Sequence, residues 1–395
     1  MPELDQALNL ELSKLASAGL RRELRPVNPS VGSEIPTEER TLLNFASNDY
    51  LGLSRHPKVI EAATRAARDW GGGSCASRLI CGSLQIHHQL EEALAAWKGV
   101  AAALSFASGY ATALGVIPAL IGGPDVVVID KRIHACCIDG ARLSGATLRV
   151  FRHNDLDSLE SILRWADQRR GETPSLRILV ITESVFSMDG DQAPLAAIVE
   201  LKERYGAWLM LDEAHALGLL GDNRSGLARA TGLEHRVDIH LGTLGKALGS
   251  AGGYVAGSRV LIDFLIQRAR SFMFSTAPVP AAAASAQAAL ELVQSAEGAT
   301  RSKSAWNQAR KVAALTQPGQ PPSSTILPVI LGDEETTLNA AARLHQMGLW
   351  VPAIRYPTVA RGMARLRVTV TSAHTDQEVT RLMAALGSIH PVCIQ

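Results

Sequence analysis

The chain has 395 residues, 47% of them hydrophobic and 19% charged, which suits a large globular core and leaves room for more than one domain. Its formal net charge of +1 argues against a general nucleic-acid or membrane surface. No apolar run reaches the roughly 20 residues that span a bilayer. The acids within MPELDQALNLELSKLASAGLRREL fit neither a secretory signal nor an acid-poor transit peptide, so the expected compartment is the cytoplasm.

An amphipathic helix is predicted near residues 4–24, followed by the polar connector PVNPSVGSEIPTEERT. From about 57 to 290, helical patterns alternate with short apolar strands such as DVVVID (125–130), LRILVIT (176–182) and WLMLD (208–212). That alternation predicts an α/β fold with a doubly wound, mostly parallel sheet. Residues 300–325 are polar and end in a Pro/Gly/Ser stretch, the signature of a domain boundary. Beyond it, ILPVIL (326–331) and LRVTV (366–370) flank a helix near 335–348, as in a small α+β domain. The expected division is 1–50 for the N-terminal helix and connector, 51–300 for a large domain and 301–395 for a small C-terminal one. Five cysteines (Cys75, Cys81, the adjacent Cys136 and Cys137, and Cys393) show no zinc-ligand spacing. No metal site is predicted and disulfides would be unusual.

Chemistry-bearing residues fall where strands end. In FASGYATALGVI (106–117), Ser108 can cap a helix whose first turn exposes the N–H groups of Gly109 and Tyr110. This is an anion site in the right context and an ordinary capped helix otherwise. His134 follows strand 125–130 at its carboxyl edge, where a lone histidine is as a rule structural. Asp212 ends the buried run 207–211, and in open α/β sheets that edge is where ligands bind. The plain alternative for Asp212 is a helix N-cap, worth about 1 kcal/mol. Lys246 is the only charged side chain between His240 and Arg259, in LGTLGKALGSAGGYVAG (241–257), in a chain with 8 lysines against 31 arginines. An amine among small apolar neighbours loses its proton readily and attacks carbonyls, which makes it a Schiff-base partner for pyridoxal 5'-phosphate. The alternative is a lysine snorkelling from a loop. Asp212 could hold a pyridine nitrogen protonated, His215 could reach the same ring, and Thr243 offers a hydroxyl to phosphate. With Lys246 the four residues form a constellation. Arg361, Arg365 and Arg367 offer forks for a carboxylate, and Arg365 and Arg367 share a strand face.

At this point the chain resembles the α-oxoamine synthases of the fold-type I pyridoxal-phosphate enzymes over nearly its whole length. The resemblance rests on NFASNDYLGL (44–53), SRLICGS (77–83) with His87 and His88, FASGYATALGVI, ESVFSMDGD (183–191), DEAHALG (212–218), TLGKALGSAGGYVAG (243–257), FSTAPVP (274–280) and VPAIRYPTVARGMARLRVTVTSAHT (351–375). It implies a fold-type I pyridoxal-phosphate-dependent transferase that joins L-alanine to a pimeloyl thioester with loss of CO2. In its terms Lys246 is the Schiff-base lysine, Asp212 partners the ring nitrogen, His215 bonds the ring oxygen and His134 stacks on the ring. The phosphate falls to Gly109, Tyr110 and Thr243, with Ser187 also touching the cofactor. Glu183 and Asp189 hold the surrounding turn. Thr276 contributes its hydroxyl to the partner subunit, which implies a homodimer with shared sites. On the substrate side the matches are Arg21 (or Arg22), Asn48, Thr358 and Arg367.

Several positions depart from the pattern. Arg355-Tyr356-Pro357-Thr358-Val359-Ala360 lacks two of the prolines usual in this loop, which bears on acyl-chain length. Cys75 stands where a small residue is usual, Cys136 stands where serine is common, and the connector before residue 326 is short. The acyl carrier, coenzyme A or a carrier protein, stays open. So do other α-oxoamine synthases using glycine, threonine or serine, a fold-type I aminotransferase, and a non-catalytic partner subunit, although such partners characteristically lack the lysine.

Overall fold

The computed structural model describes residues 3–29, 32–38 and 40–389. Cys393 lies outside them, and Cys75, Cys81, Cys136 and Cys137 are free thiols. The chain divides into two compact units, Asn48–Asn307 with Pro322–Thr325, and Met1–Ser47 with Gln308–Pro321 and Ile326–Gln395. Among the described residues no helix is long and apolar enough to cross a membrane.

The first unit is built on seven strands in the order Ala102–Phe106, Gly253–Gly257, Ile239–Thr243, Trp208–Asp212, Ile178–Glu183, Val126–Asp130 and Thr147–Phe151. All run parallel except Gly253–Gly257, which is antiparallel to both neighbours. Successive side chains on a strand point to opposite faces, and here both faces are covered. Val127, Ile129, Leu179, Ile181 and Met210 pack into one apolar cluster, whereas Val126, Val128, Ile178, Val180, Leu209 and Leu211 pack into another. Two-sided burial is why these segments read as unbroken apolar runs, each such side chain contributing about 1.5–3 kcal/mol. The chain leaves Val126–Asp130 toward Thr147–Phe151, yet leaves Ile178–Glu183 in the opposite direction, toward Trp208–Asp212. Loops that part in this way open a crevice at the carboxyl edge.

The second unit holds an antiparallel sheet of Ile326–Gly332, Ala364–Thr369 and Ala353–Ile354, with Ala364–Thr369 in the middle. Its helix Glu334–Gln346 lies where the pattern near 335–348 places it. Leu366 and Val368 enter a core with Leu327, Val329, Leu344, Val379 and Leu382. Alternation along the strand therefore puts Arg365 and Arg367 together on its other face.

Two element boundaries differ from the sequence reading. The N-terminal helix is Glu3–Ser17, shorter than 4–24, because Gly19 turns left-handed at φ 66° and the Leu20 N–H closes on the Leu15 carbonyl at 2.8 Å. None of its side chains is buried. The polar stretch after 300 is mostly helix, Ala296–Thr316, since alanine, lysine, arginine and glutamine are strong helix formers and Ala305, Ala309 and Val312 recur at helical spacing as a buried stripe.

Candidate active site

The carboxyl edge of the seven-stranded sheet surrounds a cavity of about 170 Å³ whose walls include Gly109, Tyr110, His134, Asp212, His215, Thr243 and Lys246, with Cys136 and Glu183. Larger hollows, about 680 Å³ beside Trp350 and about 640 Å³ beside Trp208, gather no comparable set of reactive groups.

Each wall residue is placed by its element. Ser108 caps helix Gly109–Leu120 by accepting the Ala111 N–H at 3.0 Å, which leaves the Gly109 and Tyr110 N–H groups without an intrahelical acceptor. Thr243 ends its strand beside that turn, donating to the Gly252 carbonyl at 3.1 Å and accepting the Gly245 N–H at 3.2 Å. A Cβ on Gly109 would lie 3.4 Å from the Thr243 Cβ, filling the gap between them at ordinary contact distance. The loop that presents Lys246 returns through Gly249, at φ 59°, where a Cβ would meet the Ser54 backbone nitrogen at 2.3 Å. Glycine at position 249, three residues after the lysine, is thus required by close backbone approach and conformation.

Lys246 Nζ lies 2.8 Å from His215 Nε2, and His215 Nδ1 lies 2.5 Å from the Tyr50 hydroxyl. The Tyr50 hydroxyl in turn donates to Asn48 Oδ1 at 3.3 Å. An ammonium can only donate, so with a neutral imidazole Nε2 accepts, Nδ1–H donates to the Tyr50 oxygen, and the phenol proton is left for Asn48. Tyr50 is fully buried, and the sequence reading passed over it although it stands inside SNDYLGL.

Asp212 and Glu183 end neighbouring parallel strands in register. Asp212 starts no helix. Its Oδ1 accepts the Ala214 N–H at 2.9 Å in a turn, which disposes of the N-cap alternative. Burial raises the Asp212 carboxyl, opposed first by the Lys246 charge. Burial and then the Asp212 charge push Glu183 up to about 8. Carboxyls at paired strand ends titrate as a pair, with Glu183 held up at about 8 and Asp212 facing the cavity. Glu183 does brace its surroundings, because its Oε1 accepts the His134 N–H at 2.5 Å. It is also a cavity wall, which the sequence did not reveal. Asp189 pairs with Arg132 at 2.7 Å, away from the cavity.

His134 precedes helix Ala135–Leu143 and accepts the Cys136 N–H through Nδ1 at 3.2 Å. The Cys136 sulfur, 3.0 Å from the same nitrogen, is the main cause of its raised pKa, with burial opposing. Ser187 is buried within the turn closed by the Phe186 N–H to the Asp191 carbonyl, and is not a cavity wall. Thr276 is exposed and bridges to Ser77.

The remaining predicted residues belong to the second unit. Arg367 is buried and donates to Thr369 Oγ1 at 2.8 Å, while Arg365, also buried, donates to the Met363 carbonyl at 3.1 Å. Arg21 and Thr358 are exposed; the Arg21 carbonyl accepts from Arg355 at 3.2 Å, and the Arg355 carbonyl accepts the Thr358 N–H at 3.0 Å. Tyr356 is stacked under Arg361, 4.3 Å from the guanidinium carbon to the ring centre.

The family described as aminotransferase class I and II matches residues 40–386. An 8-amino-7-oxononanoate synthase from Anaeromyxobacter dehalogenans is 47% identical over 97% of this chain and 95% of its own. The chain belongs to the 8-amino-7-oxononanoate synthase family. A further relative of that name, from Geobacter sulfurreducens, is 44% identical over 96% of both chains. Among solved structures, a serine palmitoyltransferase from S. paucimobilis with a bound PLP-myriocin aldimine superposes with a TM-score of 0.90 at 27% identity, covering 100% of this chain and 99% of that one. An 8-amino-7-oxononanoate synthase from Francisella tularensis gives 0.73 at 25%, covering 88% and 96%. The architecture is that of the fold-type I pyridoxal-phosphate transferases, as the synthase family requires.

Proposed function

We propose that this chain is a pyridoxal-phosphate-dependent C-acyltransferase that condenses L-alanine with a pimeloyl thioester to 8-amino-7-oxononanoate, releasing the thiol and CO2, in biotin synthesis in the cytoplasm. The observation that carries the chemistry is the gathering of Lys246, His215, Asp212 and His134 around one cavity, in a chain 47% identical to a named synthase over nearly all its length. The residues fit the cofactor. Gly109 faces Thr243 across a gap that suits a phosphate, the buried Asp212 carboxyl faces the place for a ring nitrogen, and a half-buried amine lines the same cavity.

Pyridoxal phosphate, when bound, supplies a protonated ring that accepts the electron pair left on the α-carbon of the amino acid. Lys246 is the amine for covalent attachment, and once free its Nζ takes the α-proton. Asp212 keeps the ring nitrogen protonated by charge, and its buried setting strengthens that attraction. His215 orients Lys246 through the 2.8 Å contact and is itself held by Tyr50. His134 caps its helix through Nδ1, which leaves Nε2 to serve the reacting group and the substrate carboxylate. Gly109, Tyr110, Thr243 and Ser187 complete the cofactor contacts, with Thr276 serving the partner subunit of a homodimer. Arg367, Asn48, Thr358 and Arg21 serve the substrates, and the acyl group arrives on coenzyme A or a carrier protein.

A second α-oxoamine synthase activity with another acyl chain is favoured by the serine palmitoyltransferase superposition and by Tyr356 and Ala360 in the acyl-side loop. Mass spectrometry of the product from alanine, glycine and serine with a panel of acyl thioesters decides between them. An 8-amino-7-oxononanoate mass from alanine and pimeloyl thioester supports the proposal; a long-chain ketone product from serine would replace it.

A further inference from the structure

The cavity wall carries a thiol that the condensation does not use. Cys136 is a wall residue, 3% exposed, in the first turn of helix Ala135–Leu143. Its sulfur lies 3.0 Å from His134 Nδ1 and 3.9 Å from the Cys137 sulfur. The two sulfurs and an Asp212 carboxylate oxygen all fall within 4.8 Å of one another. Three features of this setting favour a thiolate independently: the positive end of a helix, an imidazole able to take the proton, and a second thiol able to donate a hydrogen bond. The balance agrees, since the Cys137 hydrogen bond, then His134, hold Cys136 down to about 6 against burial and the Asp212 charge. Cys137 takes the reverse course and is raised, fully buried and outside the cavity wall. One member of the pair is therefore a reactive thiol and the other its supporting donor.

We propose that Cys136 is a peroxide-reactive thiol shielded by the bound cofactor, and that its oxidation blocks uptake of pyridoxal phosphate. In the reading above, on which this inference rests, the cofactor's ring would occupy the cavity that Cys136 lines. In the step itself the Cys136 sulfur attacks one peroxide oxygen, an S–O bond forms, and the O–O bond breaks. The sulfur loses two electrons, and the departing hydroxide takes up a proton to leave as water. The product is a sulfenic acid. Cys137 cannot resolve it in the native geometry, because adjacent Cα atoms lie about 3.8 Å apart and disulfides usually span about 4.4–6.8 Å. The added oxygen then remains in the cavity within reach of the Asp212 carboxylate, where a ring has to fit.

The test treats the full-length protein, with cofactor and after its removal, with limiting hydrogen peroxide, traps sulfenic acid with dimedone and maps the adduct by mass spectrometry. The expected result is an adduct on Cys136 only in the cofactor-free protein, while the exposed Cys75 and Cys81 react alike in both forms. Peroxide should weaken pyridoxal phosphate uptake, followed by absorbance, at least tenfold, with recovery in dithiothreitol. In Cys136→Ser, peroxide should leave the affinity at the untreated variant's own value. Equal labelling of Cys136 in both forms, or the same loss of uptake in Cys136→Ser, would overturn the inference; the wild-type map stands even if the variant does not fold. Failure of untreated protein to take up the cofactor on Lys246 counts against the proposed function instead, and is seen before peroxide is added.

Discussion

Removing the ammonium of Lys98 tests whether the turn that carries His215 depends on a buried charge pair. Lys98 and Glu213 are both almost wholly buried; they form an ion pair, and Lys98 also donates to the Ser225 carbonyl at 2.6 Å. Glu213 follows Asp212 directly, and its carboxylate further accepts the Ala228 N–H at 3.0 Å. Burial by itself would raise the Glu213 carboxyl, but Lys98 and then His240 overcome it and hold it at about 2. The distance from an ordinary 4.5 to about 2 corresponds to ~3 kcal/mol of native-state stabilisation. Because the folded pKa is depressed, that stabilisation is present above pH 4.5 and is lost as pH falls toward 2. Lys98→Met strands the carboxylate, an error that typically costs about 3–5 kcal/mol, or roughly 6–15 °C in Tm for a unit of this size. The sign of the pH dependence also reverses. Without Lys98, burial is opposed only by His240 and the Ala228 N–H, so the Glu213 pKa is expected to rise and the variant to lose stability as pH rises above 4.5. Urea unfolding of Lys98→Met, Glu213→Gln and the double variant between pH 5 and 8 reads both effects, and the double should be milder than Lys98→Met. A Lys98→Met loss below about 1 kcal/mol with no reversed slope would refute the account.

Borohydride reduction of the yellow protein, followed by peptide mapping, is expected to place a pyridoxyl adduct on Lys246; an adduct on another lysine would remove it from the site. Asp212→Asn should still take up cofactor but exchange the α-proton of alanine in deuterated water about 10²–10³ times more slowly, since the ring proton loses its charge partner, and unchanged exchange would reduce Asp212 to a turn-holding residue. Arg367→Lys should raise the alanine KM at least tenfold with the cofactor absorbance intact, because an ammonium cannot copy the guanidinium fork. If KM does not move, Arg365 on the same strand face becomes the carboxylate ligand. Tyr356→Pro, which also frees Arg361 from its ring contact, should change the preferred acyl length several-fold in a thioester panel without altering the alanine KM.

The sequence by itself determined the α/β class, the strand segments and the identity of the lysine, acid and histidine that meet in the cavity. It could do so because two-sided burial leaves unbroken apolar runs, because ligand-binding residues follow the carboxyl ends of such strands, and because a lone lysine among glycines has few structural uses. What depended on tertiary structure was every relation across distant segments. Glu183 appeared as turn support until its strand was paired in register with Trp208–Asp212, which made it a proton-holding neighbour of Asp212. Tyr50 became the support of His215 only when residues 165 positions apart came to 2.5 Å. Lys98 lies 115 positions before Glu213, and no local pattern marks a helix-terminal lysine as the partner of a buried acid. Cys136 and Cys137 were visible as an adjacent pair, but only the helix start that turns one toward the cavity and the other into the core separates a reactive thiol from an inert one. Local pattern records which face of an element is buried; which groups share a cavity follows from how the chain crosses over between strands.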